Sequence, residues 1–174
     1  MPAKKTILPK NFFKEIKGAK KVAIVGVGNP LKADDGLGAI CTEHIYHELR
    51  KSPNEKIMCI IAGEVPENFT GKIRSHQPSH VIIIDAVQTN DKPGTVTIID
   101  EKKIKDEAVS THRLSLGQFV RYIKESIGAQ VIIIGVVPKS LDWGTPISPP
   151  VKKAINALAR ALIQTLSRIL KNRQ

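Results

Sequence analysis

Three short runs of apolar residues constrain the fold of this 174-residue chain more than any other feature. They cover residues 22–28 (VAIVGVG), 81–84 (VIII) and 131–136 (VIIIGV). A strand that is apolar throughout, such as 81–84, is buried on both faces, as in a parallel sheet covered by helices. Between the first two runs, residues 35–50 carry apolar side chains at the helical period. This alternation predicts an α/β fold with right-handed crossovers.

The remaining segments complete a predicted three-layer sandwich, in which a five-stranded, mostly parallel twisted sheet has helices on both faces. Residues 57–61 are predicted as the second strand and 95–99 as the fourth. The connection 86–94 is too short for a helical crossover and contains the turn-forming string NDKPG. Strand 95–99 is therefore expected to run antiparallel. Further helices are predicted over residues 11–19, 66–75, 114–126 and 150–170.

The composition fits one domain over residues 1–174, with a basic N-terminal extension over 1–20 and a core over 21–174. Hydrophobic residues make up 41% of the chain, and no apolar run approaches the roughly 18 residues that a membrane span needs. The basic N-terminus lacks the continuous apolar stretch of a secretory signal. Two cysteines, Cys41 and Cys59, are too few for a disulfide framework and indicate a reducing compartment. We expect a cytoplasmic monomer with no membrane contact.

The net charge of +11 raises the question of nucleic-acid binding. The lysines and arginines are spread along the chain, however, and aromatic residues make up only 4%. No basic stripe interleaves with aromatic side chains. The charge therefore favours general solubility or attraction to an acidic protein partner, and we expect no nucleic acid among the partners.

The predicted sheet directs attention to two loops. In open α/β sheets, ligands bind at the carboxyl ends of the strands, where the strand order reverses. If the second strand lies on the far side of the first, the loops after strands one and three flank that crevice. The loop after strand one reads GVGNPLKADDGLG and contains Gly26, Gly28 and Asn29, followed by Asp34 and Asp35. One aspartate is enough to cap the following helix, so the second is interpreted as a functional carboxylate.

Two further residues extend this candidate site. Asp85 ends the apolar strand VIIID, and His112 lies in the polar segment VSTHRLSL. Two carboxylates and one imidazole suit a first-row divalent cation such as nickel, zinc or manganese. Three protein ligands would leave positions open for water or substrate. His44 and His47 lack the HExxH pattern of zinc proteases and are interpreted as part of a solvated helix face.

These motifs closely resemble those of the hydrogenase maturation endopeptidases. The resemblance rests on GVGNPLKADDGLG, the strand ending in Asp85 and the segment with His112, and runs from about Lys21 to the terminal helix. The segments AGEVPENFTGKIR and STHRLSL are most similar to the subgroup that serves hydrogenase-3-type enzymes, and GVVPKS and ISPPV are similar to the family. The basic extension of about 20 residues has no counterpart in the short family core.

The resemblance implies a function and a set of ligands. The family removes a short C-terminal peptide from the precursor of a nickel-iron hydrogenase large subunit, once nickel has been inserted. By the same resemblance, Asp35, Asp85 and His112 are both the catalytic and the nickel-contacting residues. Nickel comes with the substrate as a recognition tag, so the free enzyme either holds no metal or binds another divalent cation.

Residue patterns constrain the chemistry of such a peptidase only in part. The chain has no GxSxG and no catalytic Cys-His pattern, which leaves water as the nucleophile. Either a metal lowers the pKa of a bound water or an aspartate acts as general base. Backbone N–H groups of the loop that carries Gly26, Gly28 and Asn29, and that ends at Asp34, are candidate oxyanion donors.

Two other functions compete with this interpretation. A nucleotide-binding domain also has a glycine-rich turn after strand one, but here Leu31 stands where GxGxxG requires its third glycine. Asp34 and Asp35 at the helix start would repel a pyrophosphate. A non-catalytic chaperone that binds the nickel-loaded precursor would use the same residues as the protease.

Overall fold

Five strands form one sheet in the computed structural model, which describes residues 6–100 and 113–171. Along the sheet the order is β2-β1-β3-β5-β4. The first four strands in this order are parallel to one another, and β4 is antiparallel to β5. The strands are β1 Val22–Val27, β2 Ile57–Gly63, β3 His80–Ala86, β4 Val96–Ile99 and β5 Gln130–Val136. The predicted fold class, including the single antiparallel strand, is confirmed.

In the residues that the structure describes, five α-helices connect or flank these strands. They are α1 Lys10–Glu15, α2 Leu37–Lys51, α3 Thr70–His76, α4 Arg113–Tyr122 and α5 Pro149–Lys171. Helix α2 begins two residues later than predicted and α3 four residues later, since the 3-10 turns Ala33–Gly36 and Pro66–Phe69 precede them. A π-helical turn, Ile123–Ile127, continues α4. No helix in residues 6–100 and 113–171 is long and apolar enough to cross a bilayer.

Each face of the sheet has its own hydrophobic cluster, as expected for three layers. On one face, strand residues such as Ile24 and Ile82 pack against α1, α2 and α5. On the other, residues such as Val25 and Ile83 pack against α3 and α4. Because successive strand residues point to opposite faces, apolar strands fill both clusters at once.

Part of the basic N-terminal extension belongs to the core. Leu8, Phe12, Ile16 and Ala19 are at most 3% exposed and lie in the cluster that contains α2 and α5. The helix predicted over 11–19 is present as α1, although it ends at Glu15. The extension therefore contributes to the packing of the domain.

Candidate active site

The strand order reverses where the sequence predicts it. β1 has β2 on one side and β3 on the other, so the chain reverses its direction of travel across the sheet at β1. The loops that follow β1 and β3 flank this point. Two predicted site residues, Asp35 and Asp85, lie at this edge of the sheet.

The loop after β1 is folded tightly back on itself, which explains its glycines. Gly28 has φ +122, and a Cβ there would lie 1.8 Å from the carbonyl oxygen of Asp35. A Cβ on Gly36 would lie 2.4 Å from the Cα of Pro30. Ala33 has φ 42, a left-handed conformation that is uncommon for a residue with a Cβ. The turn that carries the two aspartates is therefore fixed by close backbone contacts.

Helix α2 starts directly on the ends of two strands. A Cβ on Gly38 would lie 2.1 Å from the carbonyl oxygen of Ile84 and 2.3 Å from that of Val27. Ile84 immediately precedes Asp85 in β3. The 3-10 turn Ala33–Gly36, which contains Asp35, also contacts β3. This packing brings the loop after β1 to the carboxyl end of β3.

Both predicted carboxylates are buried and hydrogen-bonded. Asp35 is 3% exposed, and its Oδ2 accepts a hydrogen bond from the Asn29 N–H at 3.0 Å. Asp85 is fully buried, and its Oδ1 accepts one from the Ala86 N–H at 2.8 Å. Backbone donors thus orient both side chains. Two oriented carboxylates at the carboxyl ends of adjacent strands can bind a cation or direct a water molecule.

His112, the third predicted site residue, lies outside the described residues. Within residues 6–100 and 113–171, no three His, Cys, Asp or Glu side chains form a group that could hold a metal ion. Asp35 and Asp85 therefore supply at most two protein ligands of a metal site, and further ligands must come from elsewhere. The role of His112 stays a prediction.

Asp34 has a different role from the predicted one. The sequence suggested that one aspartate caps the first long helix, but in the described structure no side chain caps α2 or the 3-10 turn before it. Asp34 is fully buried and reaches the loop after β5 instead. Its Oδ2 accepts hydrogen bonds from the N–H groups of Lys139 (2.7 Å) and Ser140 (3.2 Å). Ser148 donates its N–H to Oδ1 at 2.6 Å and its Oγ–H to Oδ2 at 2.7 Å.

The proposed oxyanion donors are also used within the protein. The Gly28 N–H donates to the Gly63 carbonyl at 2.9 Å, and the Asn29 N–H donates to Asp35. Gly26 lies in a strand that is paired on both sides, with Ile61 and Ile84 as its neighbours. This conformation therefore lacks the donors that the oxyanion prediction needed at Gly28 and Asn29. For the same reason, these groups do not form a phosphate cradle.

Several contacts of the site could not be assigned from the sequence. The Asn29 side chain donates to Glu64 at 3.1 Å, and Lys32 Nζ lies 3.5 Å from the same carboxylate. Ser140 and Ser148, which contact Asp34, belong to the GVVPKS and ISPPV segments, whose family resemblance was the available signal.

The cysteines and the remaining histidines lie outside the chemistry of the crevice. Burial raises the pKa of Cys41 and of Cys59 to about 12, so neither is a thiolate nucleophile at neutral pH. Both are free, as predicted. His47 lies 3.9 Å from Glu43 on an exposed face of α2. His76 and His80 are buried at the other end of the sheet, where His76 Nε2 lies 3.2 Å from the Val22 carbonyl oxygen.

Comparison with known proteins identifies the family of this chain. The sequence profile of the hydrogenase maturation protease family matches residues 41–165. A putative hydrogenase maturation protease of Methanocaldococcus jannaschii is 36% identical over 89% of this chain and 94% of its own. The hydrogenase 3 maturation protease of Escherichia coli K12 is 31% identical over 78% of this chain and 85% of its own.

A solved structure gives the same result for the fold. The crystal structure of a [NiFe] hydrogenase maturation protease from Thermococcus kodakarensis KOD1 is 32% identical to this chain, with a TM-score of 0.78. The match covers 92% of this chain and 98% of the other. A match of that extent leaves out fewer than the twenty residues of the basic extension. Part of the extension is therefore matched in that structure.

Proposed function

The chain belongs to the hydrogenase maturation protease family and is a peptidase, and from that premise we propose its substrate and its catalytic residues. The substrate is the nickel-loaded precursor of a nickel-iron hydrogenase large subunit, from which the enzyme cuts a short C-terminal peptide. We place this reaction in the cytoplasm, since two free thiols suit a reducing compartment, and assign it to the monomer.

The pair of buried carboxylates carries the proposal. Asp35 and Asp85 follow two adjacent parallel strands and are oriented by the backbone N–H groups of Asn29 and Ala86. Since neither cysteine ionises near neutral pH, the chemistry falls to carboxylates and water. An oriented carboxylate can take a proton from the attacking water and return it to the nitrogen of the leaving peptide.

Nickel enters this proposal as part of the substrate. Asp35, Asp85 and His112 complete the coordination of the nickel that the precursor already carries, which makes the metal a recognition tag for a loaded substrate. A bound divalent cation also polarises a carbonyl and stabilises developing negative charge. That contribution would take the place of the N–H groups of Gly28 and Asn29, which donate within the protein.

The experiment compares nickel-loaded and nickel-free precursor. Each is mixed with the purified protein, and the masses of the products are measured. We expect the loaded precursor to lose one C-terminal peptide and the nickel-free precursor to remain whole. If neither precursor is cut, the assigned substrate is wrong. If both are cut at the same rate, nickel is not a recognition tag.

A further inference from the structure

Three large apolar side chains are exposed around the candidate site. Leu31 is 68% exposed, Trp143 66% and Val65 44%. They lie in the loops that follow β1, β5 and β2, all at the carboxyl end of the parallel strands. In residues 6–100 and 113–171, six large hydrophobic side chains are exposed, and these three make up half of them. Half of these exposed side chains therefore lie on loops at the end of the sheet that carries the candidate site.

Specific contacts hold the three loops together. The Gly144 N–H donates to the Leu31 carbonyl oxygen at 2.9 Å, which joins the loops of Leu31 and Trp143. Lys32 Nζ lies 4.5 Å from the centre of the Trp143 ring and 3.5 Å from Glu64, the neighbour of Val65. The Lys32 side chain thus bridges the indole and the third loop, and these contacts bring the three loops together. The exposed side chains of Leu31, Val65 and Trp143 on these loops are here called the apolar wall.

Hydrogen bonds to Asp34 hold the backbone of the apolar wall in position. Asp34 accepts hydrogen bonds from Lys139, Ser140 and Ser148 and so anchors both ends of the loop that carries Trp143. Asp34 itself lies three residues after Leu31. Exposed apolar side chains on a fixed backbone do not stabilise the free protein. Such a surface marks a site of interaction.

The position and size of the wall indicate what covers it. The Asn29 N–H, two residues before Leu31, donates to Asp35, so the wall adjoins the loop that holds the candidate catalytic carboxylate. Three side chains are far fewer than the roughly 20–30 residues on each side of a stable interface between two globular proteins. A group of this size suits a short peptide.

We propose that the apolar wall of Leu31, Val65 and Trp143 binds the C-terminal segment of the hydrogenase large-subunit precursor beside its scissile bond. An apolar side chain of that segment packs against the Trp143 ring, which Lys32 and the Leu31–Gly144 hydrogen bond hold in position. The wall thereby sets substrate affinity, whereas Asp35 and Asp85 carry the chemistry. This inference rests on the proposed function of the same site.

Steady-state processing kinetics test the inference on the nickel-loaded precursor. Trp143→Ala and Leu31→Ser should each raise KM by about tenfold with kcat within twofold of wild type, because each removes apolar contact made equally in the ground and transition states. Tyr46→Ala is the control, since Tyr46 is 43% exposed on α2, away from the wall. It should leave both constants unchanged. An unchanged KM in both wall variants would overturn the inference.

Photocrosslinking identifies the occupant directly. The full chain carrying Trp143→benzoylphenylalanine is irradiated with the precursor, and the adduct is mapped by mass spectrometry. We expect the crosslink within the C-terminal segment of the precursor. A crosslink confined to its globular part, or none at all, would refute the wall as the peptide site. If wild-type protein leaves the precursor uncut, the proposed function fails; if it cuts while these results fail, only the wall assignment is lost.

Discussion

Adjacent aspartates in this protein have different tasks, which are decided by what each side chain contacts. Asp35 is held by Asn29 within its own loop, whereas Asp34 reaches Lys139 and Ser148, which are 105 and 114 positions away. The sequence predicts a carboxylate pair at the start of a helix and singles out the second member. It could not reveal the role of Asp34, because local capping rules describe only neighbours in the chain.

Asp34 should be essential for stability. Asp34→Ala leaves three partly buried backbone N–H groups, those of Lys139, Ser140 and Ser148, without their acceptor, and the free energy of unfolding should fall by about 3 kcal/mol. Urea denaturation measures this as a lower midpoint with an unchanged slope. Asp91→Ala is the control, because Asp91 is exposed and contacts only the nearby Thr89 in the described structure. This control should lower the free energy of unfolding by less than about 0.5 kcal/mol. Equal losses of unfolding free energy in both variants would contradict a stabilising role of the Asp34 hydrogen bonds.

At the scale of helices and strands, the sequence predicts elements better than their boundaries. The buried strands β1, β3 and β5 were located to within two residues at each end, because apolar runs are unambiguous in a parallel sheet. The short connection also predicted the antiparallel direction of β4. The start of α2 was also located to within two residues, but its packing could not be predicted, since it depends on backbone contacts between Gly38 and the ends of two strands. Such a contact between distant parts of the chain leaves no pattern in the local sequence.

Two helical glycines test that packing. Gly38→Ala places a Cβ within 2.3 Å of two carbonyl oxygens, so α2 must move off the strands. We expect a loss of roughly 1–3 kcal/mol in unfolding free energy and slower precursor cleavage, because Asp35 moves with the helix start. Gly71→Ala in α3 meets nothing within 4 Å and should be neutral or stabilising by up to about 1 kcal/mol. Thermal unfolding of both variants distinguishes the two sites; equal melting temperatures would contradict the close packing.

At the scale of the whole molecule, the topology brings together residues that are far apart in the sequence. Asp35 and Asp85 lie at one edge because β1 and β3 are neighbours and the crossovers are parallel. This placement of the two aspartates was predictable from the alternation of strands and helices. The part played by the N-terminal extension did not, since its basic residues obscured the four apolar positions that enter the core. His112 lies outside the described residues, and its role remains to be tested.

Neighbouring phenylalanines test whether the extension stabilises the fold. Phe12 is fully buried in the cluster with α2 and α5, whereas Phe13 is 39% exposed. Phe12→Ala should lower the free energy of unfolding by about 3–5 kcal/mol, and Phe13→Ala by about 1 kcal/mol or less. Chemical denaturation of the full chain measures both. A small effect at Phe12 would mean that the extension is dispensable for folding.

Cleavage of nickel-loaded precursor by carboxylate variants tests the central claim most directly. Asp35→Asn and Asp85→Asn keep the size of each side chain but remove its charge and its ability to take a proton. We expect single-turnover cleavage, followed by the mass of the large subunit, to fall at least about 100-fold in each variant. Asp91→Asn, which changes an exposed aspartate, should cleave at the wild-type rate. Wild-type rates in both Asp35→Asn and Asp85→Asn would show that these carboxylates do not perform the reaction.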